Sequence, residues 1–266
     1  MEIEQLQARA RATRRDIVTM IYESGIGHPG GALSIADILT WIYYREVDLK
    51  AASRSRVVMS KGHAVAVQYA LLHQFGIVKR EEFNTFRQIN SRLQGHPSIK
   101  TLPEVDATTG LLGQGLSIAL GMAAAKKRKQ EPHRVFAIIG DGEMHEGQTW
   151  ETLQQAGHMK MDNLIAVIDY NGFSSHDPIN EVVNLEPLAD KVRCFGWHVL
   201  ELQNGNDMHQ VAAAFRFARH LTGKPIAIIA HTTKGSGVSY MENNGDWHSK
   251  TPTAEQYQQA MGELQP

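Results

Sequence analysis

The sequence predicts an α/β protein: a mainly parallel sheet with helices on both faces. Three observations lead there. Strand-length apolar runs recur at 56–60, 134–139, 164–169, 197–202 and 225–230. Segments with helical spacing lie between them, so the order is βαβ, which favours parallel pairing beneath covering helices. Two of the runs end in oxygen-bearing side chains beside glycine, Asp141 and Asn171, and sheets of this kind bind ligands beyond the carboxyl ends of their strands.

The first helix spans 4–23, where Leu6, Ala10, Thr13, Ile17 and Ile21 recur three or four residues apart. A glycine-rich loop follows, SGIGHPGG (Ser24–Gly31). Ser34 with Asp37 reads as a capping box for a helix running to about Tyr44. After strand RVVMS (56–60) and the Lys61–Gly62–His63 turn, a helix reaches about Phe75. Residues 88–112 lack apolar periodicity, and so long an irregular stretch in a compact domain is usually functional or mobile. Small and apolar residues from 113 to 129 (Leu116, Ala119, Leu120, Ala123, Ala124) predict a helix packed closely on its neighbours.

Strand 134–139, helix 146–160 and strand 164–169 follow, then a loop over 170–186. Pro187 suits the first turn of a short helix. Strand 197–202, helix 207–221 and strand 225–230 repeat the alternation. The loop His231–Lys250 leads to a last helix with Thr251 as N-cap and Pro252 in the first turn. The whole of 1–266 reads as a single α/β domain.

Composition narrows the function classes. Hydrophobic residues at 42% and charged residues at 21% are ordinary for a globular protein. A net charge of -1 gives no support to nucleic-acid or anionic-membrane binding. The basic run Lys126–Lys129 complements a helix C-terminus. Cys194 is the only cysteine, so an intramolecular disulfide is excluded and a reducing compartment is expected. No apolar run approaches the roughly 18 residues of a membrane span. Arg9, Arg11, Arg14 and Arg15 are interspersed with Glu2, Glu4 and Asp16, unlike a transit peptide. The expectation is a soluble, cytoplasmic protein.

Asp141 lies between Gly140 and Gly142, which let the backbone approach a diphosphate, and the helix beyond aims its amides there. Asp141 and Asn171 offer oxygen ligands that suit Mg2+ or Ca2+ and not zinc, with a backbone carbonyl near Phe173 as a third. The glycine run 110–121 breaks the dinucleotide spacing and follows no strand; His145-Glu146 lacks a second zinc-protease histidine. Four histidines stand in glycine-rich or irregular loops at element ends: His28, His63, His96 and His248. His133, His158, His209 and His220 read as ordinary surface histidines.

Together these motifs resemble transketolase, in its N-terminal, thiamine-diphosphate-binding half. The matching pieces are SGIGHPGG (24–31), SKGHA (60–64), GHP (95–97), TTGLLGQGL (108–116), GDGEMHEG (140–147), DYNGF (169–173), and TTKGSGV with DWH (232–248). They stand in the family's order over nearly the whole chain. The resemblance implies a metal, Mg2+ or Ca2+, on Asp141, Asn171 and the Phe173 carbonyl. It puts Gly142, His63 and His248 at the cofactor diphosphate and Gly110 and Leu112 at the aminopyrimidine. It sets His28, His63, His96 and His248 around the substrate carbons, and makes Glu146 the carboxylate linking paired active sites.

The implied reaction moves a two-carbon ketol unit from a ketose to an aldose, both sugars or sugar phosphates, with thiamine diphosphate as electron store. Two departures stand out. Leu111 occupies a position where transketolases commonly carry a small residue or proline. The family's pyrimidine-binding domain has no counterpart in this sequence, so the resemblance implies one half of a split enzyme, inactive without a C-terminal partner and assembling as α2β2. Rival readings are the α chain of a 2-oxo acid dehydrogenase, a sugar-phosphate synthase, and a non-catalytic cofactor-binding paralogue. The histidines of GHPGG and KGHA favour a polyhydroxylated substrate.

Overall fold

A computed structural model describes residues 1–265. The chain opens with α1 (Ile3–Ser24), α2 (Pro29–Ser34) and α3 (Ala36–Arg45), then β1 (Arg56–Met59) and α4 (Ala66–Gln74). Next come α5 (Gln114–Arg128), β2 (Val135–Gly140), α6 (Gly147–His158) and β3 (Leu164–Tyr170). A small hairpin, β4 (Phe173–Ser174) and β5 (Asp177–Pro178), leads into α7 (Ile179–Val182) and α8 (Leu188–Cys194). The chain continues through β6 (His198–Leu202), α9 (Met208–Ala218), β7 (Ile226–His231) and α10 (Ala254–Glu263).

The main sheet is parallel in the order β1-β2-β3-β7-β6. Its central strands β2, β3 and β7 are almost wholly apolar because both faces are covered, while edge strand β6 carries exposed Glu201. On one face Val57, Met59, Phe136, Ile138, Ile165, Val167, Ile226 and Ile228 meet side chains of α1, α3, α4 and α9, such as Ile17, Leu39, Leu71 and Phe215. The alternate residues, Val58, Ala137, Ile139, Ala166, Ile168 and Ile229, meet Leu116, Leu153 and Val192 on the other. Each buried Val, Leu, Ile or Phe contributes about 1.5–3 kcal/mol, so a strand slipped by one residue would exchange both interfaces at once.

Register aligns the strand ends. Met59 lies opposite Ile138, Gly140 opposite Asp169, and Asp169 opposite Ala230. Ser60, Asp141, Asn171 and Thr232 therefore leave the sheet along one rim. Helix α5 is close to β1, as its small residues predict: a Cβ on Gly115 would lie 2.3 Å from Ser60 Oγ.

Several local expectations are corrected. Ser34 does not cap α3; it is the last residue of α2, and its hydroxyl is drawn to Asp169. Asp37 is spent on a buried ion pair with Arg14. Thr253, not Thr251, caps α10: its hydroxyl accepts from Gln256 N while Gln256 accepts from Thr253 N, and Pro252 lies outside the helix. Pro187 is the N-cap of α8 instead of a residue of its first turn. The stretch 170–186 contains the hairpin and α7, which its mixed polar sequence conceals. Among the described residues no helix is long and apolar enough to cross a membrane.

Candidate active site

The rim of the sheet carries a buried polar hub centred on Asp169, the last but one residue of β3. Its carboxylate pairs with Lys61 beyond β1 and accepts from Ser34 of α2 (2.6 Å), from Thr232 beyond β7 and from Asn171 Nδ2 (3.2 Å). Lys61 also donates to the Gly31 carbonyl at 2.7 Å. Burial alone would raise the Asp169 carboxyl, but the Lys61 ammonium and the two hydroxyls hold it below its ordinary range. This hub fixes four chain crossings relative to one another, and its charges cancel internally.

Asp141 differs. It follows β2, is 1% exposed, and accepts from Gly142 N (2.9 Å) and Gly172 N (2.7 Å), with no cation paired to it among the described residues. Burial first, then the neighbouring Asp169 charge, pushes its carboxyl up to about 7. Asn171 sits beside it with Oδ1 accepting from Phe173 N at 3.2 Å. Across the same cleft Lys234 is 2% exposed and donates to the Ser175 carbonyl (2.7 Å), with its ammonium over the Phe173 ring. Burial brings Lys234 down to about 8. Buried carboxyl groups (Asp141, Glu143) and a buried ammonium (Lys234) thus line a single cleft.

The cavity in that cleft is about 100 Å³, smaller than a site that buries a whole drug-sized ligand. Gly142 lies on its wall with Ser174 behind it; a Cβ there would meet Ser174 Oγ at 3.1 Å, so the backbone stays accessible. Glu143 is buried behind the wall, its carboxylate accepting from Ser60 Oγ (2.5 Å) and Gly113 N (2.8 Å), which ties the start of α5 to the Asp141 turn. Burial raises the Glu143 carboxyl despite these bonds.

Above the cleft three imidazoles form a triangle. Ring centroids are 5.4 Å apart for His28 and His63, 5.3 Å for His28 and His248, and 5.2 Å for His63 and His248. All three are held neutral. Burial and then Arg87 bring His28 to about 4, burial and then Lys234 bring His248 to about 3, and burial and then Lys61 push His63 well below its ordinary value.

The structure gathers most of the expected residues but not all. Asp141, Gly142, Asn171, Phe173, Leu112, His63 and His248 line the cleft, and His28 joins through the triangle. His96 stands apart on the rim: it is exposed, lies against Gly110 and reaches His28 through Arg87. Gly110, with φ of 149°, lets the chain pass within contact of Gly62, where a Cβ would meet Gly110 N at 3.0 Å. Glu146 is exposed at the N-terminus of α6, outside the cleft. His133, His158, His209 and His220 lie away from the cleft.

Sequence reasoning missed the hub residues Lys61 and Asp169, together with Glu143 and Lys234. All four stand inside the motifs quoted above, and a charged residue at the end of an apolar strand was the available signal. It also missed Arg87 and His176. The latter's ring is 5.2 Å from His248, and nothing in the 170–186 segment distinguishes it.

The site's chemistry fits a metal-bridged diphosphate. No cluster of three or more His, Cys, Asp or Glu at metal-binding spacing exists among the described residues. One carboxylate with an amide oxygen and backbone carbonyls suits Mg2+, which takes few protein ligands and completes its shell with phosphate and water.

Residues 5–264 match the family described as transketolase, thiamine diphosphate binding domain. The chain belongs to this transketolase family. The match spans nearly all of the fold described above. Among transketolase relatives, it is 39% identical to one of the subunits of the apulose-4-phosphate transketolase of Phocaeicola vulgatus, over 99% of this chain and 95% of that protein. It is 37% identical to the 6-deoxy-6-sulfo-D-fructose transketolase subunit SqwG of a Clostridium species, over 98% of this chain and 96% of the relative. The crystal structure of transketolase from Campylobacter jejuni superposes with a TM-score of 0.92 at 33% identity, covering 99% of this chain and 43% of that one.

Proposed function

We propose that this chain is the cofactor-holding half of a two-chain transketolase, transferring a two-carbon ketol unit between sugar phosphates. The observation that carries the reading is the cleft where buried Asp141 and Lys234 lie beneath three neutral imidazoles. The relatives that are themselves single subunits support a division between chains, since this chain spans nearly all of their length. Their names also support a phosphorylated or otherwise anionic sugar as substrate class. A partner would bring the pyrimidine-binding domain, and two copies of each chain would pair at the face where Glu146 is exposed.

Asp141, the Asn171 amide oxygen and the Phe173 carbonyl would hold a divalent cation, Mg2+ or Ca2+. Lys234, the Gly142 N–H, His63 and His248 would offer donors to the cofactor's diphosphate. Gly110 and Leu112 would present backbone groups to the aminopyrimidine. Thiamine diphosphate, when bound, supplies a nucleophilic carbon and a sink for the electrons released on C–C cleavage.

The protein's own part is to orient hydroxyls and move protons. Each neutral imidazole offers one N–H and one lone pair, so His28, His63 and His248 would share the work of donating to and accepting from oxygens without burying a charge. His96 reaches the far end of the sugar from the rim.

The test is substrate and cofactor dependence in the reconstituted complex. Ketose phosphates should serve as donors and pyruvate should not. Asp141→Ala should abolish both cofactor affinity and transfer. Turnover of pyruvate, or full activity in the Asp141 variant, would reject the reading.

A further inference from the structure

Arg87 occupies an unexpected place. It lies in the irregular stretch before the GHP motif, with its backbone at φ of 63°, a left-handed conformation costing a non-glycine residue about 1–2 kcal/mol. Its N–H donates to the Leu93 carbonyl at 2.8 Å, closing the turn that holds it there. The half-buried side chain runs over Gly95, where a Cβ would come within 3.1 Å of the guanidinium carbon. It ends with one guanidinium nitrogen 3.1 Å from His28 Nδ1.

A guanidinium only donates, so the imidazole nitrogen facing it must accept. We infer that Arg87 is the positioning residue that fixes His28 as the tautomer protonated at Nε2, directing an N–H donor toward the substrate. The inference rests on the ketol-transfer reading for its consequence, but the tautomer is a property of the free chain. The positive charge of Arg87 also disfavours protonation of the ring, alongside burial and the surrounding His96, Lys234, His176, His63 and His248. Gly95 acquires a reason beyond turn geometry: it leaves room for the guanidinium to pass.

Two measurements test this. The first is nitrogen-15 NMR of the histidine rings in the full chain, with the His28 signals identified by their loss in His28→Gln. His28 should show an unprotonated Nδ1 and a protonated Nε2. Arg87→Met should populate both tautomers, and Arg87→Lys, which keeps a donor, should restore the original pattern. A protonated Nδ1 in the wild-type chain, or an unchanged tautomer in Arg87→Met, overturns the inference. Should Arg87→Met fail to fold, the wild-type tautomer still decides, with Gly95→Ala displacing the guanidinium as the second variant.

The second measurement is turnover with the partner chain present. Arg87→Met should lower kcat about tenfold or more with KM within about threefold, and Arg87→Lys should recover part of the loss. A change in KM alone with kcat intact overturns the positioning role. Absence of any ketol transfer by the wild-type complex rejects the functional reading while leaving the tautomer result standing.

Discussion

Asp141 and Lys234 are buried charged side chains that line the same cleft, without an ion-pair partner among the described residues. Asp141→Asn keeps the size of the side chain and removes its charge. Affinity for the cofactor with Mg2+ should fall by roughly tenfold to a hundredfold, measured by titration calorimetry. A chelator should produce a similar loss in the wild type and little further loss in the variant. The histidine triangle makes one contribution to acid stability, opposed by Asp141 and Asp16, whose raised carboxyls (about 7 and about 6) favour the folded chain as they take up protons. His28 and His248 are near 4 and 3 in the folded chain against 6.5 when unfolded, so the unfolded chain binds protons first. The stability of the neutral rings is complete above about pH 6.5 and is lost as pH falls toward 4 and 3. In thermal denaturation the wild-type Tm should fall over that window relative to the double variant His28→Gln, His248→Gln. That Asp141, Asn171 and the cleft histidines stand at element ends was legible because glycine marked their loops. Lys61, Lys234 and Asp169 were not, since a single charge beside an apolar run has the same spelling whether it is solvated or buried in a hub. Arg87 leaves no trace at all, because its partner His28 is remote in sequence.

At the level of elements, α5 offers a paired test of close packing. Gly115 faces Ser60 with no room for a methyl group, whereas nothing lies within 4 Å of a Cβ placed on Gly121. Gly115→Ala should cost about 1–3 kcal/mol through overpacking, while Gly121→Ala should gain about 0.5–1 kcal/mol of helix propensity in the isolated chain. Urea denaturation reads both. The Arg14–Asp37 pair joins α1 to α3, and Arg14 Nε also donates to the Ser236 carbonyl at 2.8 Å, anchoring the segment that carries Lys234. Asp37→Ala would strand a buried guanidinium and should destabilise by about 3–5 kcal/mol, with a smaller loss when Arg14→Met is added. The strands and long helices were readable from periodicity to within a few residues. The caps were not: Ser34 and Thr251 carry the right side chains for capping, but Ser34 is recruited by Asp169 and the α10 cap moves to Thr253, where Gln256 completes the box.

For the whole molecule, the order of strands and helices already implied a parallel sheet with its ligand rim at the strand ends. The sequence was silent on strand order, because β7 inserts between β3 and β6 through contacts far apart in the chain. The hairpin β4–β5 was equally hidden; its two-residue strands are held by one short antiparallel ladder and by Lys234 on the Ser175 carbonyl. On the proposed function, a fold with this rim would anchor the diphosphate end of the cofactor and need a second chain to complete the reacting centre. Ketol transfer from a ketose phosphate to an aldose phosphate, assayed with thiamine diphosphate and Mg2+, puts that dependence to the test. This chain should be measured alone, its transketolase-type partner alone, and the two mixed in increasing ratio. The expected result is no transfer by either chain alone, activity that saturates on mixing, and none when the mixture carries Asp141→Ala. Robust transfer by this chain alone, or a mixture indifferent to Asp141, would contradict it.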